Sequence, residues 1–256
     1  MCGRYTLEWA PDEVSERFQL RRIPSALFDG FASYNAAPTQ ELPVILIDEQ
    51  GERVIRRLRW GLVPRWAKPG EHKGPAPFNA RAETLLEKAM FKNLVGTRRC
   101  LVPINGYYEW REAGGRKQPY LLTVPDEPLV ALGGLWDELR DKENVDGEPA
   151  GSFTVVTTPP SDFAAAFHHR MPLVLPRDDE ADWLDPTQTD PVAVMAMARP
   201  YPDEMSARPV SRALNNVRVN ERSLLDAPPD EPATAPTPIE SETEAASDAE
   251  SQLKLL

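Results

Sequence analysis

The residue with the most distinctive chemistry is Cys2, which follows the initiator Met1. A small second residue permits removal of the initiator methionine, so we expect Cys2 to carry an α-amine and a thiol on adjacent carbons. An α-amine has a pKa of about 7.7–8.0 and a free thiol about 8.5, so both are partly nucleophilic near neutral pH. The amine can condense with an aldehyde, and the thiol can then close a five-membered thiazolidine. Cys2 therefore suggests covalent capture of an aldehyde, although a small residue after methionine can also be merely tolerated.

Five further clusters along the chain combine polar side chains with aromatic, glycine or proline residues. They are residues 34–39 (YNAAPT), 60–66 (WGLVPRW), 78–84 (FNARAET), 106–110 (GYYEW) and 168–172 (HHRMP). Taken singly, each cluster has a structural explanation, because tryptophan and tyrosine are usually core residues. Asn79 could cap a helix, Glu109 could pair with an arginine, and His168 could be a hydrogen-bonded core histidine. These residues can act together only if the fold brings the clusters to one place.

Together, and in this order after Cys2, the clusters resemble the SRAP family. That family was first named SOS-response-associated peptidase, and its members are now understood as proteins that shield abasic sites in DNA. The matching motifs span roughly residues 2–220 and are Cys-Gly-Arg, Tyr-Asn-x-Ala-Pro, Trp-Gly-Leu-x-Pro-x-Trp, Asn-Ala-Arg-x-Glu-Thr, Tyr-Glu-Trp and His-x-Arg-Met-Pro. His169 departs from the family pattern, which usually has an acid before the arginine. Spacing back from Arg170 identifies His168 as the functional histidine.

The resemblance implies a covalent reaction with abasic sites in single-stranded DNA. The ring-opened abasic sugar exposes an aldehyde at C1′, which the Cys2 amine attacks to form a Schiff base before the thiol closes the thiazolidine. Glu109 is the expected acid/base group, because desolvation among aromatic residues raises a carboxyl pKa. His168 is the second expected proton-transfer group and assists ring opening, and Asn79 orients the N-terminus or the sugar. Strand cleavage through the Schiff base is a side activity that the same chemistry permits.

The DNA-binding residues are expected within the same motifs. They are Arg4, Asn35, Trp60, Trp66, Arg81 and Arg170. The arginines can clamp phosphates beside the lesion, and the asparagine can help to position the strand. The tryptophans can stack on bases or wedge a strand end, and stacking contributes about 1–3 kcal/mol per base. We expect at least one tryptophan at the DNA surface, while the other could belong to the core.

Two other functions stay open on the sequence alone. Cys2 could be the N-terminal nucleophile of a cysteine peptidase that removes its own leader. That leader would be Met1 alone, which needs no dedicated self-processing. Alternatively, the arginine and tryptophan side chains could bind single-stranded DNA without any chemistry. An adduct that survives denaturation, formed with an abasic but not with an intact oligonucleotide, distinguishes covalent capture from both.

The charge distribution favours a nucleic-acid partner although the chain is acidic. The net charge is −11 over 256 residues, yet residues 53–118 contain fifteen Arg or Lys and five Asp or Glu, a net charge of +10. A basic segment of this size can present a positive groove to phosphates. The two cysteines, Cys2 and Cys100, and three histidines lack CxxC or HxxxH spacing. We therefore expect no disulfide framework, no metal site and no cofactor.

The chain divides by composition into a domain and a tail. Residues 2–225 predict one α+β domain, because strands and helices alternate irregularly. The resemblance implies an SRAP-like domain with a central mixed, largely antiparallel sheet or barrel and peripheral helices. Residues 226–256 are rich in Pro, Ala, Ser and acids and predict a disordered tail. Within residues 251–256, the spacing of Gln252 and Leu255 suggests a docking peptide for a replication or repair partner, and a frayed terminus is the alternative.

Hydropathy and local periodicity complete the expectations. No apolar run approaches the roughly 18–20 residues of a membrane span and no secretory signal is present, so we expect a cytoplasmic protein without a membrane partner. Periodicity predicts helices at residues 11–18, 82–92, 162–167 and 178–184. It predicts strands at residues 44–47, 53–56, 100–104, 120–124, 129–135 and 153–157.

Overall fold

The computed structural model describes residues 2–24, 27, 31–67, 76–113, 115–143 and 149–228, which form a mixed α+β fold. The strands are β1 (Tyr5–Trp9), β2 (Phe31–Ala36), β3 (Glu41–Ile47), β4 (Arg53–Trp60), β5 (Asn79–Arg81), β6 (Arg99–Ile104), β7 (Gly106–Ala113), β8 (Arg116–Thr123), β9 (Val130–Glu143), β10 (Pro149–Thr158), β11 (Met171–Pro172), β12 (Val174–Leu175) and β13 (Ser206–Pro209). The α-helices are α1 (Pro11–Phe18), α2 (Lys92–Val95), α3 (Asp162–Ala165), α4 (Asp179–Leu184) and α5 (Pro191–Ala196). The predicted tail lies outside the described residues except for residues 226–228.

Five strands close into a barrel. β4, β3, β6, β9 and β10 pair in that order, and β10 pairs in turn with β4. Four of the pairings are antiparallel, and the closing pair β10–β4 is parallel, with Phe153 opposite Trp60. The apolar run at residues 42–46 of β3 is buried on both faces, as expected for a strand with a barrel interior on one side and covering elements on the other.

A second sheet carries the beginning of the chain. Its strand order is β13-β8-β7-β1-β2, and Tyr5 of β1 lies directly opposite Tyr107 of β7. One face of this sheet, with Tyr5 and Tyr107, joins the main core together with the barrel residues. The opposite face packs in a smaller cluster that includes Tyr108 and Leu214. Alternate residues of β7 therefore point into two different cores.

The C-terminal end of β10 pairs with two of the sequence motifs. Asn79 of β5 pairs in parallel with Val155, on the same edge of β10 that pairs with β4 a few residues earlier. Met171 of β11 pairs with Thr158, on the opposite edge of β10, which pairs with β9 a few residues earlier. The Asn-Ala-Arg and His-x-Arg-Met-Pro motifs thus flank the same end of one barrel strand, although about ninety residues separate them in the sequence.

The helices are short, and one of them was predicted wrongly. The helix expected at residues 82–92 is instead a 3-10 turn at Ala82–Thr84, followed by turns and then by α2 at Lys92–Val95. A continuous helix would bury Leu85 and Leu86 on one face, but Leu86 is 40% exposed and the segment buries Leu85 and Phe91 through its turns. The predicted helix at residues 11–18 is confirmed. In the part of the chain that the structure describes, no helix combines the length and apolarity needed to cross a membrane.

Candidate active site around the N-terminus

Cys2 is fixed between the two sheets. Its side chain is buried, and its carbonyl oxygen accepts a hydrogen bond of 2.8 Å from Nδ2 of Asn79 on β5. Two residues later, the carbonyl oxygen of Arg4 accepts a bond of 3.0 Å from the backbone N–H of Tyr108 on β7. One contact comes from the barrel side and the other from the second sheet. The backbone at residue 2 is therefore positioned by both.

Glu109 is the carboxylate beside Cys2. It stands two residues after Tyr107 on β7, so both side chains point to the same face of the strand. Glu109 is only 4% exposed, and burial raises its pKa from the ordinary 4.5 to about 7. Burial raises the pKa of the Cys2 thiol, and the negative charge of Glu109 raises it further, which shows that the two groups are close. Near neutral pH the thiol keeps its proton while Glu109 exists in both protonation states.

His168 lies just after α3, on a different segment from Asn79 of β5 and Glu109 of β7. Its Nδ1 accepts a hydrogen bond of 3.0 Å from the backbone N–H of Arg170, so a neutral ring carries its proton on Nε2. Burial lowers the pKa of His168 to about 4, and the positive α-amino group of the chain acts in the same direction. That α-amino group also lowers the pKa values of Glu109 and Cys2. The structure thus brings Cys2, Asn79, Glu109 and His168 around the beginning of the chain.

Arg170 has a structural position that differs from the predicted phosphate contact. It is 8% exposed, and its guanidinium binds both carboxylate oxygens of Glu83, the Nη2–Oε2 pair at 3.0 Å. Nη2 also donates to the carbonyl oxygen of Thr157 at 2.6 Å. These bonds tie the segment of His168 to β10 and to the 3-10 turn at residues 82–84. Arg170 is therefore held by Glu83 and Thr157 next to the histidine segment, and its phosphate contact stays a prediction.

Asn35 is also occupied within the protein. It is 1% exposed, its Nδ2 donates to the carbonyl oxygen of Val219 at 2.8 Å, and its Oδ1 accepts from Nη1 of Arg4 at 2.6 Å. Arg4 donates a second bond to the carbonyl oxygen of Leu214 at 3.0 Å. The expected DNA contact of Asn35 does not fit this burial, because its amide joins β2 to the segment after β13. Arg4 stays half-buried, with its guanidinium 5.9 Å from the ring centroid of Trp110.

The two tryptophans of the Trp-Gly-Leu-x-Pro-x-Trp motif have opposite environments. Trp60 has no exposed surface, stacks on Phe153 with ring centroids 6.1 Å apart, and donates from Nε1 to the carbonyl oxygen of Phe78 at 2.8 Å. Trp60 is therefore a core residue, and its expected role in base stacking does not fit this burial. Trp66 is 63% exposed, so only Trp66 of the pair presents a ring to solvent.

A cleft connects Asn79 with the surface. It has a volume of about 480 Å³ and is lined by Pro77, Asn79, Ala80, Arg81, Thr84, Lys88, Met90 and Phe91. Arg81 and Lys88 are exposed, so two cations stand along an opening that Asn79 also lines. Two larger clefts, of about 720 and 740 Å³, share no residue with the four predicted catalytic groups.

Several residues at the site were missed in the sequence. Glu83 holds Arg170, and Tyr5 and Tyr107 are buried beside Cys2, as the effect of Cys2 on the pKa of both phenols shows. A signal for Tyr107 was present, because residues two apart on a strand share a face and Glu109 was already a candidate. Glu83 belongs to the Asn-Ala-Arg-x-Glu-Thr motif, but no local pattern identified its partner Arg170, which is 87 residues away.

The family of this chain follows from comparison with known proteins. A family model described as SOS response associated peptidase (SRAP) matches residues 1–217. The chain belongs to the SRAP family. This SRAP chain is 36% identical over 230 residues to the abasic site processing protein YoaM of Bacillus subtilis (strain 168), covering 89% of this chain and 98% of that protein. The family resemblance seen in the sequence motifs is thereby confirmed.

Two further relatives extend the comparison to animals and to solved structures. The SRAP chain is 31% identical over 258 residues to the abasic site processing protein HMCES of Gallus gallus, covering 85% of this chain and 75% of that protein. A crystal structure of a protein from Bacteroides thetaiotaomicron superposes with a TM-score of 0.76 at 25% identity, covering 89% of this chain and all of the other. The expected α+β SRAP-like fold is confirmed.

Proposed function

We propose that this protein processes abasic sites in DNA by capturing them covalently through Cys2 once Met1 has been removed. The observation that carries the proposal is the hydrogen bond of 2.8 Å from Nδ2 of Asn79 to the carbonyl oxygen of Cys2. It holds Cys2 beside Glu109, whose negative charge acts on the Cys2 thiol. The names of the relatives YoaM and HMCES, both abasic site processing proteins, support the choice of lesion.

The first step is addition of the Cys2 α-amine to the C1′ aldehyde of the ring-opened sugar. The amine is the better initial nucleophile, because an α-amine has a pKa of about 7.7–8.0 whereas burial raises the pKa of the thiol. Oδ1 of Asn79 is buried and has no hydrogen-bond partner among the described residues. It is suited to accept from the α-amine, which would direct the nitrogen lone pair towards the aldehyde.

Glu109 transfers protons during this step. With a pKa of about 7, its carboxylic acid can protonate the oxygen of the carbinolamine, so that water leaves and an imine forms. Its carboxylate can then accept the thiol proton while the Cys2 sulfur attacks C1′. That attack forms the S–C1′ bond and returns the imine electron pair to nitrogen. The sum is one thiazolidine and one water from an aldehyde, an amine and a thiol.

His168 takes a narrower role than general acid. Because its pKa is lowered to about 4, the imidazole is neutral near pH 7 and donates only from Nε2. A neutral donor can hydrogen-bond the sugar ring oxygen and favour the ring-opened aldehyde without releasing a proton. The ring of His169 stacks on that of His168, with centroids 4.2 Å apart.

The DNA strand is expected to follow the exposed cations. Arg81 and Lys88 stand along the cleft that begins at Asn79, where they can bind phosphates beside the lesion. The exposed ring of Trp66 offers a stacking surface for a neighbouring base. This arrangement favours single-stranded DNA, whose bases are free to stack.

Covalent capture is tested by single-turnover reaction with an oligonucleotide that contains one abasic site. Wild-type protein should give an adduct that survives heat and detergent, and its intact mass should show loss of both Met1 and one water. Cys2→Ser keeps the amine but forms an oxazolidine that hydrolyses more easily, so its adduct should not survive heating. Cys100→Ser is the matched control, because Cys100 is buried on β6. An equally heat-stable adduct with Cys2→Ser would contradict the thiazolidine, and cleaved strands would reveal lyase activity.

A further inference from the structure

Two tyrosine hydroxyls in the core beside Cys2 lack a hydrogen-bond partner. In the part of the chain that the structure describes, the hydroxyls of Tyr5 and Tyr107 are buried and make no hydrogen bond, and both side chains are at most 1% exposed. A buried polar group without a partner is destabilising and uncommon in folded proteins. Two such groups, directly opposite each other on β1 and β7, therefore call for a functional explanation.

The neighbouring Tyr108 shows that the pattern is local to one face of β7. Its side chain points into the other core cluster, and its hydroxyl donates a bond of 2.8 Å to the carbonyl oxygen of Tyr34. Tyr107 instead shares its face with Glu109. The charges of Glu109 and Cys2 both act on the Tyr107 phenol, so its ring lies with the catalytic groups.

We propose that the Tyr107 hydroxyl donates a hydrogen bond to the oxygen on C1′ of the sugar while the Cys2 amine attacks that carbon. Tyr107 is preferred to Tyr5, because Tyr107 faces both Glu109 and Cys2 whereas Tyr5 packs on Trp60, with ring centroids 5.1 Å apart. A donor with no partner among the described residues can serve a ligand, and a carbonyl oxygen is the acceptor that the proposed reaction brings. This inference rests on the proposed function and adds a residue to it.

The step balances without any proton transfer from Tyr107. The amine lone pair forms the N–C1′ bond, and the carbonyl π pair moves onto the oxygen, which becomes negative. Tyr107 stabilises that oxygen through its O–H while Glu109 delivers the proton and receives one back from the new ammonium nitrogen. Burial, followed by the charges of Glu109 and Cys2, raises the pKa of Tyr107 well above its ordinary value. The phenol therefore stays a donor throughout.

The test compares Tyr107→Phe with Tyr108→Phe, which each remove one hydroxyl from adjacent residues. Single-turnover cross-linking to an abasic oligonucleotide, binding of the intact oligonucleotide and thermal unfolding are measured for both variants and wild type. Tyr107→Phe should cross-link about 10- to 100-fold more slowly. This loss is no larger than the loss in rate of about 10²–10³-fold that follows removal of an oxyanion-hole donor. Its Tm should equal or exceed that of wild type, since an unpartnered buried hydroxyl is lost. Tyr108→Phe should lower the Tm and leave the cross-linking rate unchanged.

The outcomes separate this inference from the proposed function. Equal cross-linking rates for wild type and Tyr107→Phe would overturn the inference and leave covalent capture intact. A lower Tm for Tyr107→Phe would show that the hydroxyl is satisfied inside the folded protein, for example by a buried water, and would overturn it as well. If wild type itself gives no adduct, the proposed function fails and the inference fails with it. Weaker binding of the intact oligonucleotide by Tyr107→Phe would show that the hydroxyl contacts the undamaged DNA strand. That result would also contradict the inference.

Discussion

The side-chain amide of Asn79 donates to the carbonyl oxygen of Cys2 across the junction of the two sheets, at 2.8 Å. Asn79 is positioned by the pairing of β5 with Val155 of β10, whereas Cys2 precedes β1 of the other sheet. The bond therefore connects two parts of the fold at the residue whose α-amine is proposed to react. A loss of this contact would leave the N-terminus attached to only one of them.

Replacing Asn79 by alanine should slow cross-linking at least tenfold while lowering stability only modestly. One intramolecular hydrogen bond contributes about 0.5–1.5 kcal/mol to the free energy of unfolding, but the position of the amine depends on it directly. Single-turnover cross-linking and thermal unfolding measure the two effects. Asn105→Ala is the control, because Asn105 bonds the carbonyl oxygens of Glu8 and Pro128 without touching Cys2. If both variants slow the reaction equally, the effect is a general loosening of the fold.

Glu109→Gln should remove an inflection near pH 7 from the pH profile of the cross-linking rate. The wild-type carboxyl titrates at about pH 7 because it is buried, and the amide in the variant does not titrate at all. The rate should also fall by about 10²–10⁴-fold, the usual contribution of a general acid/base. Binding of intact single-stranded DNA should persist. An unchanged inflection in the variant would assign the titration to another group.

The same pKa shift predicts how stability depends on pH. Between the ordinary pKa of 4.5 and about 7, the folded protein binds more protons than the unfolded chain, so this group makes the protein less stable as the pH rises through that range. Glu109→Gln should therefore gain stability relative to wild type between pH 4.5 and pH 7, by up to about 3 kcal/mol since one pKa unit is about 1.4 kcal/mol. Denaturant unfolding at several pH values measures the difference, and a constant difference across the range would contradict it.

Glu83→Gln should slow cross-linking although Glu83 lies outside the catalytic group. The carboxylate holds Arg170 through two bonds, and the backbone N–H of Arg170 fixes His168 through Nδ1. Removing the charge should loosen that segment and cost about 1 kcal/mol or less, because Glu83 is half exposed and exposed ion pairs contribute little. Asp179→Asn breaks another arginine pair, at 2.7 Å to Arg199, and should leave the rate unchanged.

The sequence predicted which side chains gather around Cys2 better than it predicted which arginine and tryptophan side chains stay exposed. Cys2, Asn79 and Glu109 combine unusual chemistry with family motifs, and the folded chain brings them together. An arginine or tryptophan in a motif carries no comparable signal, because the same residue type serves equally in a core or at a surface. Arg170 and Trp60 are buried for reasons set by partners far away in the chain.

The strands of the barrel could be predicted from the sequence, but the pairing that closes the barrel could not. Apolar runs such as residues 44–47 and 153–157 indicated strands that the structure confirms within β3 and β10. The parallel pairing of β4 with β10 brings together residues more than ninety positions apart, and no local pattern encodes that contact. The helix predicted at residues 82–92 failed for a similar reason, since its periodicity could not show that Leu86 would stay exposed.

Trp66→Ala and Trp60→Ala should have opposite effects. Trp66 is 63% exposed, so its loss should weaken single-stranded DNA binding by about 1–3 kcal/mol if one base stacks on it, with little change in Tm. Trp60 is fully buried, and removing its ring should lower the free energy of unfolding by about 3–5 kcal/mol. Fluorescence anisotropy with an intact oligonucleotide and denaturant unfolding measure the two quantities. Normal DNA binding by Trp66→Ala would remove the stacking surface from the proposed function.

His168→Gln should slow cross-linking most when the sugar begins in its ring-closed form, whereas His169→Gln should react like wild type. His168 is half-buried among the catalytic groups and His169 is exposed, although their rings stack. Burial lowers the pKa of His168 to about 4, so the folded protein binds fewer protons than the unfolded chain between about pH 4 and the ordinary 6.5, and stability falls as the pH drops through that range. His168→Gln should reduce this acid sensitivity, and His169→Gln should retain it. Single-turnover rates at neutral pH and unfolding curves from pH 7 to pH 4 measure both effects. A slow His169→Gln beside a normal His168→Gln would move the functional position by one residue.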